Sequence, residues 1–157
     1  MKPSKTNSAR LLDQARMDYQ LVSYQVDPDD LSAIHVAEVL GQPVEQVFKT
    51  LVLKGDPIGF FVCIVSGALE LDLKIVAKVT GNKSCAMIPM NSLLATTGYI
   101  RGACSPIGMK KLFPTFLDAS CQDFNQIYVS AGVRGLQIQL NPGDLIRMVG
   151  AKVVKLV

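Results

Sequence analysis

Short blocks of apolar residues follow one another along the chain, and the spacing within each block predicts a helix or a strand. Intervals of three and four predict helices over residues 8–18, 33–40, 73–79 and 92–96, a short helix from Pro43, and a last helix that opens at residues 141–144. Alternating or continuous apolar runs predict strands over residues 21–26, 48–54, 58–66, 87–88, 116–117, 127–130, 136–140 and 152–157.

Capping residues support these helices. Ser32 and Asp72 are typical N-caps, Gly41 and Gly81 are typical of the position after a helix, and Asn7 or Ser8 is the candidate cap of the first helix. The turn at residues 55–57 joins two apolar runs as a hairpin. Strands interleaved with short helices at irregular intervals predict an α+β fold with a mixed, mostly antiparallel, barrel-like sheet surrounded by short helices.

Composition limits the possibilities further. The chain has 157 residues, 49% hydrophobic and 18% charged, which favours one compact domain over residues 1–157. Its apolar runs are far shorter than the roughly 20 residues of a membrane-spanning helix. The polar N-terminal stretch does not resemble a secretory signal. We therefore expect a cytoplasmic protein with no membrane partner.

The net charge and the numbers of cysteine and histidine residues limit the kinds of partner and metal site that the sequence predicts. The net charge is +3, which permits an RNA partner without indicating one. Four cysteines without a Cys-x-x-Cys pair are expected to be free thiols. His35 is the single histidine, so neither a zinc site nor a catalytic triad is predicted, and no cofactor-binding motif of the P-loop or Rossmann kind is present.

Three segments carry candidate chemistry. Lys49 stands at the entry to a very apolar strand, where its ammonium either binds an anion in a pocket or extends to the surface. Residues 97–108 hold three glycines and a proline that bracket a predicted strand. They form either a binding rim with exposed backbone amides or an ordinary turn. The glycine-rich turn after residues 128–130 allows the same two interpretations.

The same segments resemble the YbaK/EbsC family. The resemblance rests on Val47-Phe48-Lys49-Thr50-Leu51, Thr97-Gly98-Tyr99 with Ser105-Pro106-Ile107-Gly108, and Ile127-Tyr128-Val129-Ser130 with Arg134-Gly135-Leu136. It continues at residues 24–28, 144–146 and 150–152 and so covers nearly the whole chain. It implies a free-standing relative of the editing domain of bacterial prolyl-tRNA synthetases, with Cys-tRNA(Pro) deacylase activity and the α+β fold expected above.

The resemblance also implies a site. Lys49 is expected near the terminal adenosine and its phosphate, and Gly102, with Pro106, forms a loop whose backbone amide contacts the scissile ester. Tyr24, Thr50 and Ser130 match further residues of the substrate pocket. In this branch the thiol of the bound cysteine is the nucleophile, so the reaction needs no histidine and no metal.

Two departures bear on the substrate. Gln137 stands where many members carry an acidic residue, and a neutral amide neither attracts an ammonium by charge nor takes a proton. No aromatic residue lies between Pro28 and Gly41. Three interpretations therefore remain: a deacylase of Cys-tRNA(Pro), a sister specificity such as Ala-tRNA(Pro), and a non-catalytic module that binds the tRNA 3′ end or a synthetase.

Partners follow from the same comparison. We expect a mischarged tRNA, held by its 3′ CCA end, and prolyl-tRNA synthetase as the source of tRNA selectivity, since phosphate contacts dominate RNA affinity. Lys110 and Lys111 are either acceptor-stem contacts or a solvated surface pair. Cys104 lies inside the Gly102 loop, where it either lines the pocket or is structural.

Overall fold

The computed structural model describes residues 5–157, so the first four residues of the predicted domain 1–157 lie outside it. Within this range the helices are α1 (Asn7–Gln14), α2 (Ala33–Leu40), α3 (Leu73–Thr80), α4 (Leu93–Thr97) and α5 (Pro142–Val149). The strands are β1 (Tyr19–Ser23), β2 (Phe48–Asp56), β3 (Gly59–Ser66), β4 (Ser84–Met87), β5 (Thr115–Asp118), β6 (Ile127–Ser130), β7 (Leu136–Leu140) and β8 (Lys152–Val154). Short 3-10 helices cover Val44–Gln46, Met90–Ser92 and Ala119–Asp123.

Local capping chemistry sets the helix ends. The Ser32 side chain accepts from the N–H of His35 at the start of α2, and Gly41 ends that helix with a φ of +68°. Asp72 and Gly81 do the same for α3. The predicted cap of α1 is wrong by one or two residues, because the side chain of Thr6, rather than that of Asn7 or Ser8, accepts from the N–H of Ala9.

The strands form two sheets. The smaller has the order β1-β7-β6 and is antiparallel throughout. The larger has the order β4-β2-β3-β5-β8, with the antiparallel β2–β3 hairpin at its centre and the parallel pairs β3–β5 and β5–β8 beyond it. The predicted α+β class with a mixed sheet is confirmed. The predicted barrel-like closure is not found, because the strands are divided between two open sheets.

The largest of three buried hydrophobic clusters joins the two sheets. Val52 and Ile64 of the larger sheet pack in the same buried cluster as Val129 and Ile138 of the smaller one. The two sheets also touch through an isolated parallel bridge between Val47 and Tyr128. The start of β2 is thereby placed beside the end of β6.

Several predicted elements differ in the structure. The first helix ends at Gln14 rather than at residue 18, and the strand expected at residues 87–88 covers Ser84–Met87. The strand expected between the glycines of residues 97–108 is absent, because that segment is an irregular loop with turns. The first strand covers Tyr19–Ser23 rather than residues 21–26, in register with β7. The last strand ends at Val154. In residues 5–157 no helix has the length and apolar character needed to cross a membrane.

Candidate functional site

A cavity of about 350 Å³ opens where the two sheets meet. Its walls come from the start of β2, the end of β6, the start of β7, the segment that leads into α2 and the loop after α4. Five residues predicted for the site or its loop line it: Lys49, Thr50, Gly102, Ser130 and Gln137. Cys104 lines it as well.

Lys49 brings a positive charge to this cavity. It follows the Val47 bridge, at the second position of β2, and its side chain is 25% exposed. Its Nζ lies 3.4 Å from Oε1 of Glu70, whose side chain is 94% exposed. An exposed carboxylate holds such a partner weakly. The ammonium can therefore exchange Glu70 for an anion carried by a ligand.

Two oxygens at the cavity wall have no hydrogen-bond partner among the described residues. They are Oγ1 of Thr50 and Oε1 of Gln137, and both are covered by neighbouring atoms. Gln137 is opposite Ser130 in the β6–β7 pair, and Oγ of Ser130 accepts from the N–H of Gly132 at 3.2 Å. An unpaired buried acceptor costs roughly 1–3 kcal/mol. A ligand donor that reached either oxygen would remove this cost.

Gly102 gives the opposite wall its backbone surface. Its φ is +81°, and a Cβ added there would lie 3.1 to 3.3 Å from side-chain carbons of Leu31. Glycine is favoured at a positive φ because it has no Cβ. A ligand can consequently approach the main chain at Gly102 closely.

Other residues expected near the site lie elsewhere. Tyr24 does not line the cavity; it is half-buried beside the cluster of Val36 and Tyr128. Pro106 is buried and does not line the cavity. Lys110 and Lys111 are exposed outside the cavity.

Cys104 is not an activated nucleophile. Burial raises the pKa of its thiol to about 11, with a smaller opposing effect from a hydrogen bond with Thr97. A thiol needs its anionic form to attack. Cys104 therefore contributes a neutral, weakly polar surface at neutral pH.

Acidic residues of the rim were missed by the sequence analysis. Asp29 and Asp30 line the cavity, and so does Arg101. Oδ1 of Asp30 accepts from the Ser32 hydroxyl at 2.7 Å and from the Ser32 N–H at 3.1 Å. These two hydrogen bonds hold the pKa of the Asp30 carboxyl below its usual value. The signal in the sequence is the acidic run Asp27-Pro28-Asp29-Asp30, a composition typical of a turn. An ionised carboxylate at the rim suits the ammonium of an amino acid.

No cluster of three or more metal-ligating side chains occurs in the part of the chain that the structure describes. The cavity offers instead the Lys49 ammonium, the Arg101 guanidinium, backbone amides, neutral acceptors and two rim carboxylates. This set can bind a phosphate, an ester carbonyl and an ammonium.

Comparison with known proteins decides the family. A family model described as the aminoacyl-tRNA editing domain matches residues 27–148. The chain belongs to the aminoacyl-tRNA editing domain family. The matched segment contains every residue that lines the cavity, and the family resemblance found in the sequence is confirmed.

Relatives of this editing domain include free-standing and fused forms. EbsC of Enterococcus faecalis, a candidate Cys-tRNA(Pro)/Cys-tRNA(Cys) deacylase, is 47% identical over 92% of this chain and 88% of its own. A proline–tRNA ligase of Fervidobacterium nodosum is 32% identical over 53% of this chain and 14% of its own length. The editing domain thus matches only a small part of that ligase.

Solved structures agree on the fold. The crystal structure of a candidate trans-editing enzyme for prolyl-tRNA synthetase superposes with a TM-score of 0.81 at 24% identity, covering 98% of each chain. The hypothetical protein APE2540 superposes with a TM-score of 0.84 at 18% identity, over 93% of this chain and 95% of its own. The two open sheets are therefore a shared architecture of this editing domain and these structures.

Proposed function

We propose that this editing domain, acting as one domain over residues 1–157, is a trans-acting deacylase that removes cysteine from mischarged Cys-tRNA(Pro). The observation that carries the proposal is the meeting of Lys49, Gly102, Ser130 and Gln137 around one cavity in a chain of this family. The 47% identity with EbsC supports cysteine as the amino acid.

Each group has a role in the proposed reaction. Lys49 binds the phosphate next to the terminal adenosine, because an ammonium suits that anion. The Gly102 N–H donates to the carbonyl oxygen of the ester, which gains negative charge in the transition state. The side chains of Thr50, Ser130 and Gln137 bound the amino-acid end, while Tyr24 and Pro106 support the walls from behind.

The substrate supplies its own nucleophile. The sulfur of the bound cysteine attacks its ester carbonyl, so a C–S bond forms while the C–O bond to the ribose breaks. The thiol proton ends on the ribose oxygen that leaves. This route needs no protein nucleophile, which agrees with the neutral thiol of Cys104.

The cavity volume bears on partners. About 350 Å³ is at the small end of ligand pockets, which span roughly 300–1,000 Å³. The cavity accommodates the 3′ end of a tRNA and leaves the rest outside. We therefore expect prolyl-tRNA synthetase, in the cytoplasm, to supply tRNA selectivity. Discrimination among tRNAs that is equally strong without the synthetase would contradict this.

The test is deacylation of Cys-tRNA(Pro), Ala-tRNA(Pro) and Pro-tRNA(Pro) by the wild type and by Lys49→Ala. We expect loss of cysteine alone, and a rate at least about 100-fold lower in the variant because the 3′ end is no longer held in place. Lys54→Ala is the matched control, since Lys54 lies on the same strand but outside the cavity.

The outcomes separate the alternatives. Turnover of Ala-tRNA(Pro) instead of Cys-tRNA(Pro) would establish the sister specificity. Binding of the tRNA 3′ end without turnover of any substrate would establish a binding module. A folded Lys49→Ala variant with wild-type activity would remove the role assigned to Lys49.

A further inference from the structure

The loop at Gly102 is a β-turn whose type follows from its dihedral angles. The N–H of Ala103 donates to the carbonyl of Ile100 at 3.0 Å, so Arg101 and Gly102 are its central residues. Gly102 has a φ of +81°, and in residues 5–157 the one non-glycine residue with a positive φ is Arg16. A positive φ at the second central position alone defines a type II turn.

Turn type decides where the central peptide points. Between types I and II, ψ of the first central residue changes from about −30° to about +120°, and φ of the second from about −90° to about +80°. These two changes rotate the peptide between Arg101 and Gly102 to its opposite face. The type II turn therefore fixes which side of the loop carries the Gly102 N–H.

Arg134 holds the other end of the same peptide group. Its Nε donates to the carbonyl oxygen of Arg101 at 2.9 Å, across 33 positions of the sequence. Arg134 does not line the cavity, whereas Gly102 does. In a trans peptide the C=O and the following N–H point in opposite directions. The carbonyl thus points toward Arg134, and the N–H of Gly102 points away from Arg134.

The two loops are also packed together. A Cβ on Gly132, in the Arg134 loop, would lie 2.9 Å from the ring of Tyr99, in the Gly102 loop. The Tyr99 hydroxyl donates to the carbonyl of Ile107 at 2.6 Å. This packing keeps Arg134 within reach of Arg101.

We propose that Arg134 is a positioning residue for deacylation: its Nε–H holds the Arg101 carbonyl outside the cavity and thereby fixes and polarises the Gly102 N–H that donates to the substrate. A guanidinium donor is charged, and hydrogen bonds through one peptide group strengthen each other. The inference rests on the proposed function.

The experiment compares single-turnover deacylation of Cys-tRNA(Pro) by the wild type, Arg134→Ala and Arg134→Lys. Arg147→Ala is the matched control, because Arg147 is an exposed arginine of α5 that pairs with Asp144 outside the cavity. Loss of a whole oxyanion donor costs about 100- to 1,000-fold in rate. Since the glycine still favours the type II turn, we expect about a 10-fold loss in Arg134→Ala at saturating tRNA.

A change in rate without a change in affinity identifies positioning. The tRNA concentration at half-saturation should stay within about twofold of the wild type, and Arg134→Lys should recover most of the rate because lysine keeps a charged donor. The ¹⁵N resonance of the Gly102 amide should move upfield in Arg134→Ala and stay in place in Arg147→Ala, because the preceding carbonyl loses its charged donor.

Several results would overturn the proposal. A higher half-saturation with an unchanged maximal rate would make Arg134 a phosphate contact. A wild-type rate in Arg134→Ala would remove any role. If the wild type deacylates nothing, the proposed function fails first and the catalytic part of this proposal falls with it. The Gly102 resonance then still decides whether Arg134 holds the peptide.

Discussion

Replacing Gly102 with alanine would test the turn that forms one wall of the cavity. An L-residue held at a φ of +81° costs about 1 kcal/mol. The new Cβ would lie 3.1 to 3.3 Å from Leu31 carbons, and crowding of a half-buried leucine adds about 1 kcal/mol more. We therefore expect a loss of about 2 kcal/mol, or about 4 to 8 °C in Tm for a chain of this size.

Gly41→Ala provides the matched control. Gly41 also has a positive φ, +68°, but nothing lies within 4 Å of an added Cβ. It should lose only the backbone part, about 1 kcal/mol. The difference between the two variants, measured by thermal and urea unfolding, isolates the contact with Leu31. When Gly102→Ala is combined with Leu31→Ala, the crowding contact is absent. The double-mutant cycle should therefore give a coupling energy of about 1 kcal/mol.

Activity gives the second half of the test. Alanine at position 102 favours the type I turn, which turns the N–H away from the cavity, so deacylation should fall about 100-fold. Gly41→Ala should keep the wild-type rate. The reasoning would be refuted if Gly102→Ala melted together with Gly41→Ala and deacylated at the wild-type rate.

Further predictions concern thiols and a buried carboxylate. Burial raises the pKa of Cys63 to about 12 and that of Cys104 and Cys121 to about 11, from 9.0. Because the unfolded thiols ionise more readily, the stability that they contribute is complete below pH 9.0 and is lost as the pH rises through about 11 to 12. An equal free energy of unfolding in urea below pH 9.0 and at about pH 12 would contradict this. Cys104→Ser should leave the pH profile of deacylation unchanged around neutrality, and a shifted profile would show that the thiol titrates there. Asp118, whose Oδ1 accepts from the Leu156 N–H at 2.8 Å, is 2% exposed; Asp118→Asn should lower the free energy of unfolding by about 2 kcal/mol, and a smaller loss than for an exposed aspartate would refute its role.

Local signals predicted most of the elements. Ser32 and Gly41 bound α2 as expected, since each acts through atoms a few residues away. The wrong strand within residues 97–108 has a non-local cause. The hydroxyl of Tyr99 bonds the carbonyl of Ile107 and lies 3.0 Å from Oγ of Ser8 in α1. These contacts hold the segment as a loop, and no nearest-neighbour pattern encodes them.

The division into two sheets could not be predicted from the sequence, because it too depends on non-local contacts. The parallel pairing of β3 with β5 joins Cys63 to Phe116, and apolar alternation does not say which strand lies beside which. The candidate site shows the same limit. Lys49 stood out as a charge in an apolar strand, whereas Asp30 was hidden in a turn. The contact between Arg134 and Arg101 depends on the packing of two loops.

In the proposed reaction, the contact between Lys49 and Glu70 makes substrate capture an exchange of counterions. A carboxylate of the same chain already lies 3.4 Å from the ammonium. A nearly fully exposed monoanion leaves at little cost. A small anion must compete with the Glu70 carboxylate through one contact, whereas an RNA end brings several further contacts. The pair therefore disfavours small anions only slightly, and the further contacts of an RNA end decide which anion binds Lys49.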